Sequence, residues 1–266
     1  MSNIIELHSL DNRSIVRIDK GELVSYMVAT TEIMHQKGAP GWGSTEIEMF
    51  PTIGATKEND FSVTTPNGVA KLDQHGILRV MEYLPKTIEK SSASFYKKYT
   101  ANTSLPNPKF PNRSTQEFVS WPYDFEFIKT FELTTEGLKI SFEIISEKNM
   151  PFMLGFHPAF KIYKEDFVLK TSDQAISLQN VLDAGAPAFL IEDCKEITLS
   201  DNGILKINIK TTGFNHIMLW TEVTNMICIE PITFYPPSVS ANKLHEGFQH
   251  SSGYEKLEVC IAPEIV

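Results

Sequence analysis

Turn chemistry punctuates this chain at close intervals, and that restricts its fold more than any other feature. Short runs of β-branched and aromatic residues at 4–10, 14–18 and 22–28 are separated by Asp11-Asn12-Arg13 and Asp19-Lys20-Gly21. Runs at 61–65 and 69–72 flank Pro66-Asn67-Gly68, and Asn-Gly between two strand-like runs is a strong hairpin signal. The clearest hairpin joins 125–133 to 138–144 through Thr134-Thr-Glu-Gly137. In it Phe125, Phe127 and Lys129 alternate with Glu126, Ile128 and Thr130. Further short runs follow at 167–170, 175–178, 204–210, 216–220, 226–230 and 257–262. Only residues 179–196 leave room for a helical turn or two, and Gly185 and Pro187 cut that short. No heptad, internal repeat or low-complexity segment interrupts the pattern. Strands this short and this numerous bury their apolar faces by closing into a sandwich or barrel, so the expected class is all-β. The proline-rich stretch 104–115 has strand-like sequence of one character on both sides. It therefore reads as a connecting loop, and residues 1–266 as a single domain.

Composition removes several function classes. The 266 residues carry 24 Lys and Arg against 33 Asp and Glu, a formal charge of −9, which argues against binding a phosphate backbone. Neither a signal peptide nor an apolar run long enough to span a bilayer stands out, so no membrane partner is expected. Cys194, Cys228 and Cys260 are widely spaced and odd in number, which favours reduced thiols and a cytoplasmic location.

Candidate chemistry lies where an ionisable group interrupts an apolar run beside Gly or Pro. In Met153-Leu-Gly-Phe-His157-Pro-Ala-Phe160 the proline offers no N–H to a ladder, so the strand is expected to lie at an edge, to bulge or to end there. Taken alone, His157 is either a functional group or a core histidine satisfied by a backbone carbonyl. Met226-Ile-Cys-Ile-Glu230-Pro231 repeats the pattern with a carboxylate. Asp73-Gln-His75-Gly76-Ile-Leu-Arg79 adds a histidine before glycine and a guanidinium whose planar fork suits hydroxyls or an anion. Trp42, in the Gly/Pro-rich loop 36–44, is either a sugar-stacking platform or packed onto the body of the protein. A Glu facing a His is a competent acid and base pair near neutral pH. Two His and a Glu also suit zinc, but no pair of them has the short spacing of a metal motif, so no metal is expected. No Gly-x-Ser-x-Gly elbow supports a serine nucleophile.

Several of these stretches together resemble the aldose 1-epimerase (galactose mutarotase) family. Gln74-His-Gly-Ile-Leu-Arg79 is similar to its H-G-F-A-R segment, Gly155-Phe-His-Pro-Ala-Phe160 to G-x-H-P-x-F, and Cys228-Ile-Glu-Pro231 to C-x-E-P. Phe50-Pro-Thr-Ile-Gly54 resembles L-F-P-x-x-G, and Trp121-Pro-Tyr-Asp-Phe125 resembles Y-P-F-x-F. The resemblance runs from about residue 15 to the C-terminus. It implies a β supersandwich that interconverts the α and β anomers of an aldose by ring opening and reclosure, with no cofactor. Glu230 would be the base at the C1 hydroxyl, His157 the acid at the ring oxygen, and His75 and Arg79 the sugar contacts. The implied ligand is a free aldohexose rather than a sugar phosphate. The alternative is a non-catalytic carbohydrate-binding or regulatory protein on the same fold. Ile77-Leu78 departs from Phe-Ala, and Ile232 stands where a tryptophan often follows the proline. No motif places the family's further acidic contact, for which Asp183 and Asp193 are candidates.

Overall fold

The computed structural model of the chain describes residues 4–201 and 203–266. The long hairpin forms as its alternation requires. Phe125–Leu133 and Leu138–Ser146 pair antiparallel from Phe125 opposite Ser146 to Leu133 opposite Leu138. They lie inside a nine-stranded sheet. Its order is Ala175–Ser177, Val168–Lys170, Glu196–Asp201, Leu205–Thr212, Tyr254–Ile265, Leu138–Ser146, Phe125–Leu133, Ser92–Tyr99 and Leu84–Ile88. Alternation turns Phe127, Phe131, Ile140 and Phe142 to one face, where all are fully buried.

Against that face lies a five-stranded sheet in the order Phe189–Ile191, His216–Trp220, Met226–Ile232, Gly155–Lys161 and Glu46–Met49. The rings of Phe142 and Phe156 meet at 5.1 Å and those of Phe50 and Phe127 at 5.4 Å, so the two sheets share one apolar core. Burial of each such ring stabilises the sandwich by about 1.5–3 kcal/mol. An N-terminal sheet of Ile5–His8, Ser14–Asp19, Glu22–Val28 and Thr31–Glu32 adds a further layer. The helical turn expected in 179–196 is α1, Leu178–Ala184. A reciprocal Ser177–Asn180 capping box starts it, and Gly185, at φ +61°, ends it.

The two proline-bearing strands depart from expectation. Gly155–Lys161 runs straight through Pro158 and is interior, with Met226–Ile232 on one side and Glu46–Met49 on the other. Met226–Ile232 likewise continues through Pro231. The strand with His157 is neither at an edge nor ended, and its register does not shift. Instead the ladder between the two strands is interrupted: Gly155 pairs with Ile232 and Ala159 with Cys228, with nothing paired between. The missing proline N–H groups explain the gap, while pairing of Pro158 with Glu46 and of Pro231 with Ile217 holds each strand from its other side.

Candidate active site

Because the register is unchanged across that gap, His157 and Glu230 stand opposite each other on adjacent strands. Their side chains meet, with Nε2 and Oε1 at 3.3 Å. Ile227 and Ile229 face the core shared by the sheets, whereas Met226, Cys228 and Glu230 turn the other way. Glu230 is 2% exposed, and burial alone raises its pKa well above the usual carboxylate range. Burial also lowers His157 to about 3, and the positive charge of Arg79 adds to the effect. Burial therefore favours the neutral form of both groups, an uncharged imidazole beside an uncharged carboxyl. Nδ1 of His157 is buried and makes no hydrogen bond to another described residue, while the backbone of His157 itself partly opposes the fall in its pKa.

Three aromatic rings enclose His157. Trp42 stacks on it at 4.3 Å with the planes 26° apart, and Trp220 and His75 meet it edge-on at 6.1 and 6.2 Å. Both earlier readings of Trp42 bear on this result, since it packs onto the body of the protein, but at the candidate site. Its loop is anchored there: the Trp42 carbonyl is 2.9 Å from His35 Nε2, and its N–H points at Met226 Sδ, 3.4 Å away. Gly41, at φ +113°, lets the loop pass where a Cβ would come within 2.8 Å of Val223. Trp42, Trp220 and Val223 pack around Ala159, Met226 and Cys228 to make a small apolar cluster beside the pair.

His75 and Arg79 approach from a segment zipped to Phe50–Gly54. Phe50 N–H donates to the His75 carbonyl, Ile77 N–H to the Phe50 carbonyl, and His75 N–H to the Gly54 carbonyl. Gly76 sits at φ +74°, where a Cβ would lie 2.2 Å from Phe50 O, so glycine is required at that position. Gly54 N–H donates to His75 Nδ1 at 3.2 Å, which leaves Nε2 as the protonated nitrogen of a neutral ring. Burial and the charges around it hold His75 well below the usual histidine range. Arg79, on the 3-10 turn Leu78–Val80, is exposed, and both histidines feel its charge.

Asp73, unremarked in the sequence, anchors this turn. Its carboxylate accepts from Lys109 Nζ at 2.7 Å, Asn107 Nδ2 at 2.7 Å and Gln74 N–H at 2.6 Å. Burial opposes ionisation, but these bonds, with one from Ser114, outweigh it and lower the pKa to about 2. The proline-rich loop therefore works as a brace, and Lys109 is committed to Asp73. Arg113, exposed in the same loop, is near enough for its charge to act on Arg79.

Behind the Glu46–Met49 strand lies a second cluster of ionisable groups. Lys129 donates to Glu46 Oε1 at 2.6 Å and also to Glu48, and all three side chains are buried. Burial raises Glu46 to about 7 against the attraction of Lys129. For Glu48 the charges of Lys129 and Lys97 outweigh burial and hold the pKa below the usual range. Lys97 donates to the Leu78 carbonyl at 2.7 Å, directly before Arg79, and sits over the Tyr83 ring at 3.9 Å. A cavity of about 480 Å³ borders this cluster, with Arg79, Tyr83 and Lys129 in its wall.

The two candidate acidic contacts lie apart from this arrangement. Asp183 is exposed on α1 and accepts from Gln179 Nε2, and Asp193 occupies an exposed left-handed turn whose N–H donates to His216 Nδ1. A further group of possible metal donors consists of His157, Cys228 and Glu230 rather than the two histidines and Glu230. Cys228 and Glu230, two residues apart on one strand face, supply the short spacing that the earlier set lacked.

Comparison with known proteins gives this geometry a family context. Residues 57–218 match the family model described as aldose 1-epimerase. A galactose mutarotase-like protein from Lactobacillus casei superposes with a TM-score of 0.79 at 17% identity, over 98% of this chain and all of that one. A galactose mutarotase related enzyme from Lactobacillus acidophilus gives 0.79 at 20% identity, over 99% of this chain and 97% of that one. These likenesses show the fold, a galactose mutarotase-like β supersandwich. Among curated proteins, LacX from Lactococcus lactis is 24% identical over 136 residues. That alignment spans 48% of this chain and 40% of LacX, less than half of the relative's length.

Proposed function

This chain belongs to the aldose 1-epimerase family, and from that premise we propose that it interconverts the α and β anomers of a free aldohexose, with Glu230 and His157 as the proton-transfer pair. The observation that carries the proposal is the 3.3 Å separation of His157 Nε2 and Glu230 Oε1, two largely buried side chains. Ring opening takes a proton from O1 and delivers one to O5. Both oxygens are bonded to C1, so the two groups must stand side by side.

In the forward step the Glu230 carboxylate takes the O1 proton while the His157 imidazolium gives its proton to O5. The C1–O5 bond breaks and C1 becomes an aldehyde. The pair thus begins with its proton on His157 and ends with it on Glu230, so its total proton count does not change. The second arrangement is the one the free protein favours, because burial holds Glu230 protonated and His157 neutral. Rotation about C1–C2 and reversal of the same steps close the ring on the other face. His75 Nε2–H and the Arg79 guanidinium would hold hydroxyls away from C1, and the Trp42 and Trp220 rings offer apolar faces to the sugar carbons.

A polarimetric screen of freshly dissolved single anomers, covering free aldoses and aldose phosphates, tests this reading. Faster decay of rotation with a free aldose supports it. Tight binding with no acceleration would make the chain a carbohydrate-binding protein. A preference for the phosphates would move the recognition of the far end of the sugar to Arg79 and Arg113.

A further inference from the structure

We propose that Cys228, His157 and Glu230 form a binding site for one thiophilic divalent cation, zinc or cadmium, and that its occupation blocks the proton-transfer pair. The donor atoms of the three residues lie within 4.8 Å of one another, and all three residues are buried. Two come from one strand face at alternate positions, and the third stands opposite on the neighbouring strand. The backbone therefore fixes their separation before any ion arrives. An imidazole, a thiolate and a carboxylate make a donor set suited to zinc and its softer congener, and three protein ligands leave a fourth position for water.

Charge balance strengthens the case. A dication held by one thiolate, one carboxylate and one neutral imidazole carries no net charge, which removes most of the cost of placing an ion in a buried site. The exchange is balanced: the ion binds sulfur and oxygen, and the thiol proton and the carboxyl proton leave to solvent. Nε2 of His157 already faces Glu230 Oε1 at 3.3 Å, so the ring presents a nitrogen to the other two donors as it stands. The anomerisation chemistry gives Cys228 no task. Among the described residues it packs against Ala159 and Met226, a role that a small apolar residue would serve equally well.

Binding is independent of the proposed activity, whereas the inhibitory consequence rests on it, and the experiment separates the two. The full-length protein is titrated with cadmium and, separately, with zinc. Bound metal is measured by equilibrium dialysis, and the thiolate-to-cadmium absorption by ultraviolet difference spectroscopy. The expected result is one cadmium per chain with the thiolate band, release of protons on binding, and loss of anomerisation in proportion to occupancy. In Cys228→Ala the band disappears, cadmium affinity falls by at least roughly tenfold, and turnover persists at cadmium concentrations that silence the parent protein. If the parent turns over no sugar, the dialysis and absorption results still decide the binding claim. Binding well below one per chain would overturn the proposal, as would an equal band and affinity in Cys228→Ala, which would place the metal at Cys194 or Cys260.

Discussion

Glu230 and Glu48 are buried to within a few per cent on strands of one sheet, separated only by the strand that carries His157, yet burial leaves them in different states. Glu48 has the ammonium of Lys129 against it and the charge of Lys97 nearby, and these keep it ionised. Among the described residues, the only ion-pair partner of Glu230 is His157, itself held neutral, so nothing offsets the loss of hydration and the carboxyl keeps its proton. A buried carboxylate with a lysine is a structural brace. One without a cation holds its proton in the free protein and is poised to exchange it with a partner or a substrate. Glu46 lies between the two cases: it shares Lys129 with Glu48 and is raised to about 7.

The comparison predicts different losses from the two regions. On the uncompensated side, His157→Asn should lower kcat by about 100-fold to 10,000-fold, the usual contribution of proton transfer, with an unchanged thermal melt. Steady-state polarimetry separates this from a binding effect, which would raise KM instead. On the compensated side, Lys129→Met leaves Glu46 and Glu48 buried without their cation. It should cost about 3–5 kcal/mol of stability in urea unfolding while the folded fraction keeps its kcat. If the melt of Lys129→Met matched that of the parent, the distinction between the two regions would fail.

Asp73 sharpens the contrast, because it is a third carboxylate that hydrogen bonds keep ionised. Its folded pKa of about 2 lies below the unfolded value near 3.8. Its contribution is therefore fully present above pH 4 and is lost as pH falls through 2. Asp73→Asn should remove about 2 kcal/mol at neutral pH and flatten the acid limb of the stability curve between pH 2 and 4. Arg79→Lys is the mildest change, since the charge stays and only the planar fork is lost. A rise in KM of roughly fivefold with kcat nearly unchanged is expected, consistent with a loss of about 1 kcal/mol of hydrogen bonding.

Much of this arrangement can be read from the residues, for identifiable reasons. Period-two alternation is a local property, so the hairpin of 125–133 with 138–144, and the grouping of Lys129 with Phe125 and Phe127 on one face, were visible in the sequence. The partners of Lys129 were not, because Glu46 and Glu48 reach it across the sandwich from about eighty residues earlier. Histidine or glutamate beside proline in an apolar run marked His157 and Glu230. Proline was read as placing its strand at an edge, bulging it or ending it, whereas a strand paired on its other side survives the loss of one N–H. The unchanged register across the resulting gap sets the two side chains opposite each other. Asp73 and the Trp42 stack escaped notice because their meaning depends on loops whose course only the folded chain reveals. Cys228 was in view as part of a motif, but its alternate spacing from Glu230 acquires chemical meaning only when the neighbouring strand brings in His157.

The central claim is that the uncompensated burial of Glu230 serves proton transfer. The most direct test follows the optical rotation of a freshly dissolved pure anomer with the parent protein and with Glu230→Gln, corrected for the spontaneous rate, alongside thermal melts of both. The account predicts that the amide variant folds as the parent does and that its rate falls by about 100-fold to 10,000-fold, towards that of buffer. A Glu230→Gln protein that turns over at the parent rate would contradict it.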